Sequence, residues 1–430
     1  MVLTGRAAAL AAGGALVVGL VAPSGAGVLV VSGIVLLLAV IDVALAAPIR
    51  PVGLRRTGDR AVRLGQSAQV SLHVTNQGRR LRGLVRDAWP PSAGSTGERA
   101  ALNLEPGIRQ RIIVTLRPTR RGDRIADRVT IRSVGPLGVA GRQGTHVVPW
   151  TLRVLPAFHS RRHLPSRLAR LRELDGRSAV RTRGADTEFD SLREYVLGDD
   201  TRSIDWRATA RRGDVVVRTW RPERDRHVLL VLDTGRTSAG RVGDAPRLDA
   251  AMDATLLLAA LATRAGDRVE MLAYDRRTRA SVERPSTTET LPRLVDAMAN
   301  LEPELLETDY RGLVVEVLRR AGRHSLVVLF TGLDAGPVEE GLLPLLGQLT
   351  HRHTVLVAAV ADPRLAEMAQ ARGDIAAVYG AAAAEHDRTG RTRVSRLLER
   401  HGAHVVDAVP DELPPAVADA YLGLKAAGRL

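Results

Sequence analysis

Between Ala7 and Ile49 the chain carries one formal charge, Asp42. No other feature restricts the possible folds as strongly. A membrane-spanning helix needs roughly 20 apolar residues. The run offers two such stretches, about 7–21 and 28–47, separated by Ala22-Pro23-Ser24-Gly25-Ala26-Gly27, whose Pro and Gly mark a tight turn. The sequence therefore predicts a transmembrane helical hairpin over residues 1–50. A single span and a secretory signal ending near Ala44-Leu45-Ala46 are the rival readings, although the apolar core of a signal is only ~7–15 residues long. Arg6 precedes the pair, and Arg50, Arg55, Arg56, Arg60 and Arg63 follow it. Positive charge stays on the cytoplasmic side, so a multi-pass protein of the inner or plasma membrane with cytoplasmic soluble domains is expected. Asp42 lies near the inner end of its helix, within reach of water or Arg50.

Residues 57–156 read as a β-sandwich. Val70, Leu72 and Val74 alternate with polar residues, as do Ile112, Val114 and Leu116, and Val129 and Ile131. Period-two patterning marks half-buried strands. Asn76-Gln77-Gly78, Pro90-Pro91 and Arg121-Gly122-Asp123 supply the turns. Several strands over such a length imply an immunoglobulin-like sandwich. Residues 158–187 form a basic connector with a short amphipathic helix near 164–174. Its arginines are free to face water or anionic lipid.

Residues 188–226 are unusual in composition. The chain has only three Phe, four Trp and five Tyr, yet Phe189, Tyr195, Trp206 and Trp220 fall in this segment. Asp199, Asp200 and Asp205 stand beside Arg193, Arg202, Arg207 and Arg211. Interleaved signs with bulky anchors predict an ordered, ion-paired element, since disordered tails carry blocks of one sign. Tyr195, Asp199, Asp200, Arg202, Asp205, Trp206 and Arg211 are expected to build a rigid partner-binding surface docked on the next domain, with Trp206 buried.

Residues 227–430 alternate apolar strands and helices, the pattern of a doubly wound α/β domain. Strands are expected at 227–233, 269–274, 324–331, 353–361 and 403–409. Helices are expected at 247–265, 287–301, 312–321, 338–350, 394–401 and 413–427. Ligands of such sheets sit beyond the carboxyl ends of the strands. That points to the loops after Asp233 and Phe330. No glycine-rich phosphate loop follows the first strand.

The chain has no cysteine, which excludes disulfides, thiolate metal sites and thiol nucleophiles. Its net charge is +15, carried by arginine because Lys425 is the sole lysine. The arginines alternate with acids and aromatics are few, so no nucleic-acid partner is expected.

The run Glu188-Phe189, Arg193-Glu194-Tyr195, Gly198-Asp199-Asp200, Arg202-Ser203-Ile204-Asp205-Trp206, Ala210-Arg211, then Glu223 and Asp233, resembles the signature of the bacterial "domain of unknown function 58" family. Arg121-Gly122 and Pro136-Leu137-Gly138 in the β domain are similar too. The resemblance implies a von Willebrand factor A-like α/β domain and association with MoxR-type AAA+ ATPases. It also implies a divalent-cation site. Asp233, Thr237 and Thr308 (or Asp309) are the residues that match, whereas Gly235 and Gly332 stand where ligands are expected and Asp334 lies two residues further on. Weak Mg²⁺ binding at best is expected, to be raised by Gly235→Ser and Gly332→Asp. Two functions compete. One is a membrane-anchored, non-enzymatic adaptor for a AAA+ ATPase in the assembly or maturation of client or envelope proteins, with no catalytic residues. The other is a metal-assisted hydrolase using Asp233 and the Asp199/Asp200/Asp205 cluster.

Overall fold

A computed structural model of the protein describes the chain except residues 22, 182–187, 197, 198, 200, 222–225 and 323, with side chains described outside 175–191 and 219–221. Asp200, Gly198 and Glu223 of the signature lie outside the described residues. The chain divides into two compact units, Met1–Leu155 and Pro156–Leu430.

The first unit opens with the helices α1 (Gly5–Val21) and α2 (Gly25–Leu45). Ser24 caps α2, its hydroxyl accepting from the Gly27 N–H. Among the described residues α2 alone is long and apolar enough to cross a membrane; α1 is apolar but shorter. At about 1.5 Å per residue α2 extends about 31 Å, close to the thickness of a bilayer core.

Seven strands follow: β1 (Val52–Gly58), β2 (Ala68–Asn76), β3 (Leu81–Asp87), β4 (Arg99–Leu104), β5 (Arg109–Leu116), β6 (Gly122–Val134) and β7 (Ala140–Leu155). They form two antiparallel sheets, β7-β6-β3-β4 and β1-β2-β5, each extended by short edge strands. The register sets Leu72 opposite Ile112 and Val85 opposite Ile131. The inward residues of the two sheets meet: Leu72, Val74 and Ile112 pack with Leu81, Val85, Leu104, Val129 and Ile131. Within this sandwich Arg56 and Asp87 form a buried ion pair at 2.5 Å. Arg56 also donates to the Ala126 carbonyl at 2.7 Å and Trp89 Nε1 donates to Asp87 at 3.3 Å, so neither charge is left unsatisfied.

Asp42 does not reach water or Arg50. It is fully buried. Its carboxylate accepts from the backbone N–H groups of Leu137 (2.8 Å), Val139 (2.7 Å) and Ala140 (2.8 Å) in the turn between β6 and β7. The turn is shaped for this contact. A Cβ at Gly135 would lie 2.1 Å from Asp42 Oδ1, and Gly138 holds φ +73°. The last turn of α2 is thus bonded into the sandwich, which gives Pro136-Leu137-Gly138 a structural reason.

In the second unit α3 (Leu164–Arg181) comes first. Two of its arginines are paired within the unit: Arg167 and Arg170 meet Asp419 at 3.0 and 3.4 Å. A hairpin of β8 (Glu188–Glu194) and β9 (Val216–Arg221) encloses α4 (Trp206–Arg212). The α/β domain then runs β10 (His227–Asp233), α5 (Arg247–Arg264), β11 (Arg268–Tyr274), β12 (Thr278–Val282), α6 (Thr290–Ala299), α7 (Tyr310–Arg320), β13 (Leu326–Phe330), α8 (Leu343–Thr350), β14 (Thr354–Val360), α9 (Pro363–Gln370), α10 (Ile375–Arg400), β15 (His404–Ala408) and α11 (Leu413–Ala426).

The sheet order is β12-β11-β10-β13-β14-β15. All neighbours are parallel except the edge strand β12. Leu229, Val231, Val327, Leu329, Val355 and Val357 pack with α7, α8 and α10 on one face; α5 and α11 cover the other. Burial on both faces is why these strands read as continuous apolar runs. Successive connections leave β10 in opposite directions, so β10 and β13 flank the topological switch point.

Candidate functional site

Two regions come from the sequence analysis, the segment around α4 and the switch point after β10. In the first, the ladder pairs Leu192 with Arg218 and Glu194 with Val216, and the Tyr195 N–H continues it to the Val215 carbonyl at 2.8 Å. Tyr195 is half-buried. Asp199 accepts both arms of the Arg193 guanidinium, at 2.8 and 2.6 Å, and the Val196 N–H at 3.0 Å. Asp205 caps α4: Oδ1 accepts from the N–H groups of Arg207 and Ala208, each at 3.0 Å, and Oδ2 from Arg218 Nε at 2.8 Å. The Ala208 N–H, foremost, and Arg218 hold this carboxyl below the usual carboxylate range. Gly213 ends α4 in the left-handed region. These bonds fold the segment on itself and engage Asp199 and Asp205.

Trp206 is not buried. It is 68% exposed. The reason lies in the element it begins: α4 is two turns long, fixed by caps at both ends, and buries none of its residues. Among the described side chains of the hairpin, the buried ones are Val216 and Val217. Arg207, Arg211 and Arg212 are exposed beside Trp206, and their guanidinium groups have no acidic partner among the described residues. Arg202 is exposed on the preceding turn.

At the switch point, Asp233 ends β10 and is fully buried. Oδ1 accepts from the Gly235 N–H at 2.8 Å and the Thr308 hydroxyl at 2.5 Å. Oδ2 accepts from the hydroxyls of Thr331 (2.6 Å), Thr237 (3.1 Å) and Tyr310 (3.4 Å). The structure thus brings Asp233, Thr237 and Thr308 together. Of the two second-loop residues, Thr308 reaches the carboxylate, while Asp309 caps α7 through the Gly312 N–H. Thr331 and Tyr310 complete the shell. Tyr310 carried no signal in the sequence; its phenol is pushed up by burial and then by the Asp233 charge. The rim includes exposed Leu305 and Leu306 and the surface pair Arg236–Glu307.

A divalent cation makes demands that this donor set does not meet. Mg²⁺ asks for six oxygens in an octahedron at about 2.1 Å. Here one carboxylate is already saturated by four hydroxyls and an N–H. The other nearby acid, Asp334, lies 3.6 Å from the Arg247 guanidinium. Among the described residues no group of three or more His, Asp or Glu is placed to hold a metal. The residues as arranged do not fit the ion. A serine at 235 would not repair the site either, because its Cβ would fall 2.1 Å from Thr308 Oγ1.

No curated protein matches the chain. Several solved structures are similar to about a quarter of its length. One is the CARDB domain of the PF1109 protein from Pyrococcus furiosus, in complex with di-metal ions, at 19% identity over 24% of this chain and 91% of that one, with a TM-score of 0.19. Another is a FixG-related protein from Vibrio parahaemolyticus, at 13% identity over 24% and 96%, with a TM-score of 0.16. At these scores the likeness carries no argument. The family comparison covers both candidate regions. Residues 191–395, just under half of the chain, match the model described as "Protein of unknown function DUF58", and over that region the chain is similar to the DUF58 family.

Proposed function

We propose that this chain is a membrane-anchored, non-enzymatic interaction module. The observation that carries the reading is α4, where a Trp 68% exposed stands beside three exposed arginines that have no acidic partner among the described residues. Trp and Arg are the residues that most often carry binding energy at protein interfaces. At the switch point, the saturated Asp233 carboxylate leaves no free base beside a nucleophile among the described residues, which favours a binding role over hydrolysis. The sheet order and the antiparallel edge strand support a von Willebrand factor A-like reading of the α/β domain.

The partner inferred from the family resemblance is a MoxR-type AAA+ ATPase, working on client or envelope proteins. The apolar helices hold the module in the cell membrane as a hairpin, with both chain ends and the soluble bulk cytoplasmic. Co-purification from native membranes tests the partner. The ATPase is expected to stay with the wild-type chain and to be lost with Trp206→Ala or Arg211→Glu. Equal retention by both variants would remove α4 from the account.

A further inference from the structure

We propose that Arg247 takes the place of a divalent cation at the switch point, so that this face works with a fixed protein charge and without a metal. The inference goes beyond the partner reading and stands on four features of the site.

Arg247 is the first residue of α5, with its N–H bonded to the Gly240 carbonyl at 2.8 Å. Its side chain is only 18% exposed. The guanidinium lies against Gly240, where a Cβ would come within 3.3 Å of Cζ and Nε. It reaches the Thr237 carbonyl at 3.5 Å and Asp334 Oδ2 at 3.6 Å. A positive charge therefore sits on the loop that contributes Thr237 to the Asp233 shell.

Asp334 is bent back to meet it. A Cβ at Gly332 would lie 2.5 Å from Asp334 Oδ2 and 3.0 Å from Thr237 Cβ. Gly332 thus leaves the space that the Asp334 carboxylate fills, directly over Thr237. The residue that looked like a lost ligand is what lets Asp334 neutralise Arg247.

Asp233, in turn, has its charge spread over five donors. A dication here would have to displace those hydrogens and approach a guanidinium of like sign. The small cavity beside the shell is lined by Thr237, Ser238, Arg247, Thr331 and Gly332 together with four apolar residues; it measures about 10 Å³ and takes in no carboxylate. That is room for about one water, and its half-apolar lining offers no acid to a hydrated Mg²⁺.

The test uses the full chain in detergent with Mn²⁺ and Mg²⁺ as probes. The wild type is expected to show no Mn²⁺ binding by electron paramagnetic resonance at millimolar metal, and no change in melting temperature between metal and chelator. Arg247→Gln frees Asp334 and is expected to gain both Mn²⁺ binding and a metal-dependent rise in melting temperature. Arg247→Gln combined with Asp334→Asn is expected to lose that gain. Wild-type binding that disappears in Asp233→Asn overturns the proposal, as does a folded Arg247→Gln that gains nothing. If Arg247→Gln does not fold, the wild-type titration decides.

Discussion

Asp42 and Asp233 are both buried carboxylates surrounded by donors, and both are consumed by structure. For Asp42 the donors are three N–H groups of one turn. Asp42→Ala would leave them buried without an acceptor. An orphaned buried donor costs about 1–3 kcal/mol, so the full chain in detergent is expected to lose at least that amount. Asp42→Asn keeps an acceptor oxygen and should lose less; equal losses in denaturant unfolding would mean that the turn is not held by this carboxylate. At Asp233 an amide would turn an NH₂ donor towards hydroxyl donors, so Asp233→Asn should destabilise by about 1–3 kcal/mol. Gly235→Ser is expected to lower the melting temperature and not to create an ion site, because the added Cβ meets Thr308. Trp206 was read in the sequence as core because it is scarce, but scarcity carries no information about burial. With 68% of its surface exposed, Trp206→Ala should change stability by less than about 0.5 kcal/mol.

At the scale of elements, the sequence was legible wherever burial imposes a period. The sandwich strands alternate because each has one buried face, and β10, β13 and β14 are continuous apolar runs because both faces are covered. The edge strand β12 was missed. Thr278–Val282 is short and mostly polar, and its place is set by pairing with β11. The helix read from Val394 to His401 begins at Ile375, directly after Asp374, which caps it. Its first turns are rich in alanine, with Ile375, Val378 and Tyr379 exposed, so no amphipathic contrast betrays them.

The amino-terminal ends of β10 and β14 carry another trait that period cannot reveal. Burial lowers the pKa of His227 and His353 below the ordinary 6.5. Glu270 opposes the shift at His227, and Arg268 and Arg284 add to it. The unfolded chain takes up protons near 6.5, whereas the folded chain does so only at lower pH. The stability these histidines allow is therefore complete above pH 6.5 and is lost as pH falls through 6.5 and then the folded values. Melting temperature should drop from about pH 7 to about pH 5, with a shallower slope in His227→Gln. A flat profile over that range would contradict neutral burial.

For the whole molecule, the division into an amino-terminal apolar pair, a β unit and an α/β unit follows from where charge is absent, where the period is two and where strands alternate with helices. The site inside the α/β unit was legible in part. Asp233, Thr237 and Thr308 come from three chain positions that converge because β10 lies at the switch point. Arg247 and Asp334 meet only through the shape that Gly240 and Gly332 allow, and no linear pattern announces them. A reporter fused after Leu430 is expected to be active only in the cytoplasm; activity outside the cell would reverse the proposed orientation.

The central claim is that the chain acts by presenting α4 to a protein partner. Its most direct test is the affinity of a purified MoxR-type AAA+ ATPase for the full chain in detergent, wild type against Trp206→Ala, with a melting curve for each. The account predicts at least a tenfold loss of affinity, about 1.4 kcal/mol, with melting temperatures that coincide. Unchanged affinity in the variant, or a loss that accompanies unfolding, would contradict it.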